Sequence, residues 1–425
     1  MSILTFYRLA TITLTPFARP ALNWRAKRGK EDPERLDERL GVASLPRPAG
    51  RLVWLHGASL GESLSLLPLI DRFIQRGVEV LVTSGTYGSA RLLAERLPAG
   101  AVHQFLPLDA PRFVERFLDH WRPDLALFAE SELWPNIVLD IHRRGAPLVL
   151  VNARISSASA QRWRRAPGVG AELFSKIDLC LAQDADNAAR FLGLGAPRAR
   201  VAGNLKFDVP APPVDASKLA ALKGALGARP VFAAVSTHPG EEDFVLDAHQ
   251  EMARQLPALL TVIVPRHTVR GDEIAKLARA RGLNAGLRSQ DGPPGRDTQI
   301  YVADTIGELG LIFRAAEVVF MGRSLGQGGG HNPIEPAKLG CAILHGPAVE
   351  DFADVYAELN AAKAAARVAD APALARAALY LLSQPARMRK MGRAGVEVVE
   401  RLGGASREIM TAIEPYLAQL AATRQ

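Results

Sequence analysis

The sequence predicts two α/β domains, each built on a parallel sheet with helices on both faces. Short, nearly continuous apolar runs alternate with segments of helical period, which is the pattern of strands buried on both sides. The alternation begins at residue 51, breaks at 209-VPAPPVDA-216, where three prolines fall in eight residues, and restarts at 230. The length of 425 residues fits this, at about 100–200 residues per domain.

In chain order, residues 1–30 stand apart from the rest of the protein. They carry Arg8, Arg19, Arg25, Lys27, Arg28 and Lys30 and no acid, which is +6 of a net +8 and leaves only +2 for the other 395 residues. Ile3, Leu4, Phe6, Tyr7, Leu9, Ile12, Leu14, Phe17, Leu22 and Trp24 surround these charges. An apolar body with a basic flank suits an anionic membrane surface, at about 1 kcal/mol per Lys or Arg. Arg8 early and Pro16 and Pro20 late interrupt the run, short of the roughly 20 apolar residues that a span needs. No A-x-A-like cleavage site comes after it, which argues against export. The alternative is a helix packed on its own domain.

The expected strands of the first domain, residues 31–208, are 51-RLVWLH-56, 79-EVLVTS-84, 101-AVHQFLP-107, 124-DLALFAE-130, 148-LVLVNA-153, 177-IDLCLA-182 and 199-ARVAG-203. Residues 209–216 make the hinge. The second domain, 217–400, repeats the pattern with 230-PVFAAVS-236, 259-LLTVIVP-265, 298-TQIYVAD-304, 316-AEVVFMG-322 and 341-CAILHG-346, and a C-terminal helix takes 401–425. Apolar residues at 48% and charged residues at 23% exclude disordered and fibrous classes. Two distant cysteines, Cys180 and Cys341, exclude a disulfide framework and a four-cysteine zinc site, so a reducing cytoplasm is the natural compartment. The pI near 9.7 suggests nucleic acid, but the concentration of charge in the first 30 residues removes that reading.

Ligands of such sheets sit at the carboxyl ends of strands, and the informative loops fall there. In 56-HGASLGES-63, Gly57 to Gly61 formally match the G-x-S-x-G elbow of a serine hydrolase. That elbow normally comes after several strands, whereas this one comes after the first. The loop also lacks the Gly-Lys-Ser/Thr of a phosphate loop. Ser59 and Glu62 have the spacing of a capping box, so Glu62 either caps or catalyses. Glu130 and Glu132 lie at another strand end, and Lys206 lies just before the hinge. In the second domain, Pro239 is placed as a first helical residue whose N–H groups suit a phosphate. Arg266 and His267 end a strand, and guanidinium is the preferred fork for phosphate or carboxylate. Thr305 and Glu308 have the spacing of a second capping box. In 322-GRSLGQGGGHNPIEPAKLG-340, five glycines in nine residues feed Asn332-Pro333 at a helix start, a build suited to an anion; Glu335 either caps or accepts from a ribose diol. Asp184 and Asp186 mimic the D-x-D of metal-dependent sugar transferases, with a helix-start acid pair as the plainer reading.

The combination 56-HGASLGE-62, 131-SELWPN-136, 152-NARIS-156, 203-GNLKFD-208, 264-VPRH-267 and 329-GGHNPIEP-336 resembles the Kdo transferases of Gram-negative lipopolysaccharide synthesis. The resemblance spans the whole chain. It implies a GT-B fold and inverting transfer of 3-deoxy-D-manno-oct-2-ulosonic acid (Kdo) from CMP-Kdo to the lipid A precursor, lipid IVA. It implies no metal and no cofactor, and attachment to the cytoplasmic face of the inner membrane. It puts the proton acceptor on Glu62 and the transition-state stabilisers on Glu132 and Lys206. The CMP contacts fall on Pro265, Arg266, Ile306, Gly307, Glu308, Asn332, Pro333, Ile334 and Glu335. The stretch 345-HGPAVEDF-352 is more acidic than the family pattern. Rival readings are a GT-B transferase or epimerase using a UDP-sugar, a hydrolase using Ser59, and a membrane-tethered binding module.

Overall fold

The computed structural model describes residues 3–165, 167–326 and 328–422. Residues 1 and 2 of the N-terminal segment, Gln327 of the glycine-rich loop and residues 423–425 of the C-terminal segment lie outside the described residues. The chain forms two units: the first takes the described residues up to Val209 and those from Leu402 onward, and the second runs Pro210–Arg401.

The first unit holds strands β1 (Leu52–Gly57), β2 (Glu79–Ser84), β3 (Ala101–Phe105), β4 (Leu125–Ala129), β5 (Leu148–Ala153), β6 (Leu179–Ala182) and β7 (Ala199–Val201). All pair in parallel in the order β3-β2-β1-β4-β5-β6-β7. The order reverses between β1 and β4, so their carboxyl ends flank the crevice where open parallel sheets take ligands. Every residue of β1 and β5 is buried, as two helical layers require. One face packs Trp54 against Phe117 and Phe128, with ring centroids 4.9 and 4.8 Å apart. The other face packs Leu55, Leu69, Phe73 and Leu127 with Ile409 and Ile413 of the helix Ala405–Ala422. Asp208 anchors the start of that helix, its carboxylate accepting from Gly404 N at 2.7 Å and Ser406 N at 2.5 Å.

The N-terminal helices Ile3–Leu14 and Ala18–Ala26 also belong to this unit. Leu4, Tyr7, Arg8 and Thr11 share one face at helical spacing, and that face turns inward. Leu4 is buried, Tyr7 donates to Asp109 at 2.9 Å, Arg8 pairs with Asp140 at 3.2 Å, and Thr11 accepts from Asn136 at 3.1 Å. Ile3, Phe6, Leu9 and Ile12 face outward and are exposed, as are Phe17 and Trp24. The polarity is therefore the reverse of an ordinary surface helix. Among the described residues no helix is long and apolar enough to cross a membrane.

The second unit holds β8 (Val231–Thr237), β9 (Leu260–Pro265), β10 (Ala285–Leu287), β11 (Ile300–Val302), β12 (Val318–Met321), β13 (Ala342–His345) and β14 (Ala365–Arg367), all parallel, in the order β10-β11-β9-β8-β12-β13-β14. Sequence patterning missed β10 and β14. Each has three residues and pairs on one side only, too short to carry a periodic signal. The loops after β8, β9, β11 and β12 therefore lie side by side on one edge.

Close backbone approach fixes this edge. A Cβ on Gly346 would lie 1.9 Å from the Ser324 carbonyl, and one on Gly328 2.0 Å from the Arg323 carbonyl. Gly346→Ala is expected to destabilise the protein by about 1–3 kcal/mol in urea unfolding. Gly224→Ala, in the helix Ala216–Leu226 with open space around it, should be neutral or stabilising in the same measurement.

Candidate active site

Glu62 lies at the third position of the helix Leu60–Gln75, directly after β1. Ser59 is its N-cap and accepts from Glu62 N at 3.3 Å. The Glu62 carboxylate reaches back, Oε2 accepting from Ala58 N at 2.9 Å and Oε1 from the Ser59 hydroxyl at 2.6 Å. Capping is thus real, and it is also what aims the carboxylate at the strand end. Burial pushes Glu62 above the ordinary carboxyl range; Glu130 pushes the same way, while Ser59, Ala58 and Lys206 pull back. The Ser59 proton is committed to Glu62, and among the described residues no histidine bonds to Ser59, so the hydrolase relay is not assembled.

Glu132 comes after β4 in the turn before the helix Pro135–Arg143. Burial, and then the Glu62 charge, push it up to about 7. Lys206 sits in the short turn Leu205–Phe207 after β7, its Nζ 3.1 Å from Glu130 Oε1. The three sequence-chosen groups therefore share one electrostatic neighbourhood. Sequence reasoning gave no role to two residues that build it. Glu130 takes the left-handed conformation (φ 56°) to hold Lys206. Asn152, also left-handed (φ 52°) and fully buried, accepts from Leu205 N at 3.0 Å and so fixes the lysine's turn. A buried asparagine at the end of 148-LVLVNA-153 was the available signal. A cavity of about 330 Å³ opens beside these groups, with Ala58, His56, Glu132, Trp134 and Arg39 in its wall.

In the second unit, Pro265 ends β9 and Arg266 comes next, exposed and with no side-chain partner among the described residues. His331 lies 3.0 Å from His238, Nε2 to Nε2. Burial, then Arg266, His238 and Arg323, push His331 down to about 4, so it is neutral near pH 7 in a cationic setting. Asn332 caps Ile334 N at 3.0 Å, and the helix Ile334–Lys338 begins one residue later than expected. Ile306 is exposed and Gly307 left-handed (φ 82°). Glu308 is held by Arg288 at 2.8 Å, Lys218 at 2.8 Å and Thr305 at 2.5 Å, and the Arg288 bond first of all pulls it down to about 2. The expected Thr305–Glu308 capping box is absent: the helix starts at Leu309, with no side-chain cap.

Pro239 also lies outside its helix, which begins at Glu241. Glu241, the first residue of that helix, turns its carboxylate onto other amides. Its buried carboxylate accepts from His238 N at 3.0 Å, Arg323 N at 2.6 Å, Ser324 N at 2.9 Å and Leu325 N at 3.2 Å. The unusual acid Asp351 pairs with Arg323 at 2.9 Å, and its N–H donates to Gly329 O at 2.8 Å, closing the glycine loop from the other side. Asp184 caps its helix by accepting from Asn187 N at 2.7 Å, and Asp186 pairs with Arg190, which accounts for the D-x-D.

Two parallel-sheet α/β units with their loops on the carboxyl edges are the components of a GT-B-like fold. The chain matches a Neisseria meningitidis UDP-GlcNAc 2-epimerase structure with TM-score 0.58 over 86% of this chain and 100% of that one, at 14% identity. It matches a Rickettsia africae glycosyltransferase structure with TM-score 0.57 over 88% and 100%, at 11% identity. These likenesses show the fold. A family model described as 3-deoxy-D-manno-octulosonic-acid transferase (kdotransferase) matches residues 34–209. A probable mitochondrial 3-deoxy-D-manno-octulosonic acid transferase of Arabidopsis thaliana is 35% identical over 93% of this chain and 92% of its own length. The 3-deoxy-D-manno-octulosonic acid transferase of Haemophilus influenzae is 32% identical over 90% and 92%. The chain belongs to the 3-deoxy-D-manno-octulosonic acid (Kdo) transferase family and is a glycosyltransferase.

A carboxyl whose folded pKa is raised favours the fold while it is protonated. That contribution is whole below the ordinary value of 4.5 and is lost as pH rises through about 7. Glu132→Gln is therefore expected to raise the thermal midpoint over the parent near pH 8 and to change it little near pH 4. An equal offset at both pH values would refute the burial argument.

Proposed function

We propose that this Kdo transferase takes CMP-Kdo as donor and the lipid A precursor, lipid IVA, as acceptor, and transfers with inversion and without a metal ion. The observation that carries the reading is the raised carboxylate pair Glu62 and Glu132, with Lys206 held beside them by Glu130. CMP is a good leaving group, so the chemistry needs charge management. Glu62 takes the proton of the acceptor hydroxyl as its oxygen bonds to the anomeric carbon. The bond from that carbon to the phosphate oxygen breaks on the opposite face, and its electron pair leaves with CMP. Desolvation makes Glu62 a stronger base than a solvated carboxylate. Ionised Glu132 offsets oxocarbenium charge. Lys206 holds the sugar carboxylate or the phosphate. Arg266 receives the phosphate, aided by the loops at Ile306–Glu308 and Asn332–Glu335.

The outward apolar face of the N-terminal helices, flanked by basic residues, supports attachment in the interface of an anionic bilayer, the cytoplasmic face of the inner membrane.

Incubation with CMP-Kdo and the lipid acceptor is expected to give product heavier by one or more Kdo units, with activity persisting in excess EDTA. Turnover of a UDP-sugar instead would overturn the reading. Glu62→Gln should lose about 10²–10⁴-fold in turnover, whereas Ser59→Ala should lose about 1 kcal/mol of stability and keep much of its activity. A folded, dead Ser59→Ala beside an active Glu62→Gln would restore the hydrolase.

Removing residues 1–22 is expected to reduce recovery with membranes more than turnover of detergent-dispersed acceptor. Unchanged recovery in a sedimentation assay would refute the interfacial foot.

A further inference from the structure

The second unit has a cavity that neither the donor loops nor the transfer chemistry uses. It measures about 560 Å³, within the range of small-ligand sites. Lys363, in its wall, comes two residues before the edge strand β14, and Tyr380 and Leu381 lie near the end of the helix Ala371–Ser383 that returns from that strand. The cavity therefore lies at the amino end of β14, whereas Arg266 and the glycine loop come after the carboxyl ends of β9 and β12. Its floor is small and apolar, made by Ala365, Ala366, Ala377, Leu381, Met391 and Ala394. Tyr380 stands over that floor and is 44% exposed.

Three cations ring the floor, and no acid lines the cavity. Lys363 sits in a left-handed turn (φ 56°) after the helix Ala353–Ala361, its N–H donating to Asn360 O at 3.0 Å. Arg387 and Lys390 come from the start of the helix Pro385–Leu402. The Arg387 guanidinium lies over the Tyr380 ring, 5.7 Å from its centroid, at the reach of a cation–π contact. Among the described residues none of the three cations has a carboxylate partner, whereas Arg401 of the same helix pairs with Glu358 at 2.7 Å. Arg387 is also the third residue of its helix, whose first turn holds no acid. The helix dipole disfavours a cation there, and a bound anion offsets that cost together with the mutual repulsion of the three charges.

We propose that this cavity binds a nucleoside polyphosphate, with the phosphates on Lys363, Arg387 and Lys390 and the base against Tyr380 and the alanine floor. Three cations exceed the charge of a single phosphate monoester, about −2, and match that of a di- or triphosphate. A tyrosine ring beside a guanidinium offers a stacking surface that accepts any base, because every base has a π-face. The position at the amino end of β14 makes this ligand one other than the sugar donor.

The test is calorimetric titration of the full-length protein with ATP and with inorganic tripolyphosphate in magnesium-free buffer. The parent should bind both, and ATP the more tightly. The double variant Arg387→Gln/Lys390→Gln should lose about 10–100-fold for both ligands. Tyr380→Ala should lose about 5–100-fold for ATP and little for tripolyphosphate. Arg266→Ala, on the donor edge, should keep the parent's affinity for ATP. No binding by the parent, or ATP binding that survives in the double variant, overturns the proposal. Loss of ATP binding in Arg266→Ala overturns it too, by placing the nucleotide on the donor loops, and unchanged ATP affinity in Tyr380→Ala overturns the assignment of a nucleoside. The substituted side chains are exposed, and the unliganded double variant, relieved of a cation at a helix start, should melt no lower than the parent. A lower midpoint would show that the cations serve the fold, and would overturn the proposal.

Discussion

Three carboxylates, Glu62, Glu130 and Glu132, and one ammonium, Lys206, share the carboxyl edge of one parallel sheet. Burial first, and then neighbouring negative charge, pushes Glu62 and Glu132 above the ordinary carboxyl range. The fold treats the three acids unequally. Glu130 is given the lysine at 3.1 Å, while Glu62 and Glu132 are left raised, Glu132 to about 7. Much of the surrounding structure serves that division: the N-cap that aims Glu62, and Asn152, which fixes the turn carrying Lys206. A lysine engaged by Glu130 neutralises one charge without extinguishing the basicity of the other two.

The second unit handles charge in the opposite sense. Arg266, Arg323 and the neutral pair His238 and His331 lie together, and Glu308 is locked by Arg288 and Lys218. The result is a positive edge whose acids are already spoken for. That is the electrostatic character that an anionic sugar nucleotide requires.

The parallel sheets were legible because strands buried on both faces leave uninterrupted apolar runs, as in 79-EVLVTS-84 and 148-LVLVNA-153, both matched residue for residue by β2 and β5. The edge strands β10 and β14 were not, since three residues such as Ala285–Leu287 have no period to read. Strand-end position drew attention to Glu62 and Glu132 and the hinge to Lys206, but it was the family resemblance that grouped the three. Their partners were hidden for a specific reason. Glu130 and Asn152 act through left-handed backbone that non-glycine residues seldom adopt; the asparagine closing an apolar run was a local sign of it, and Glu130 had none. Pro239 was read as opening a helix with N–H groups free for a phosphate; instead Glu241 opens it, and its carboxylate turns inward onto a loop some eighty residues away. A C-terminal helix was expected over 401–425, but its anchorage in the first unit by Asp208, nearly two hundred residues earlier, left no local trace.

The Glu241 carboxylate bears on the entropy of the loop after β12. Four backbone amides, one before its helix and three in the loop after β12, are occupied by an anion belonging to the chain, and Asp351 pairs with Arg323 of that loop. Arg323, Ser324, Leu325 and Gly329 are thus tied down by acids of the same chain. The ordering of those residues is met within the fold, which lowers the entropic cost of any binding beside them.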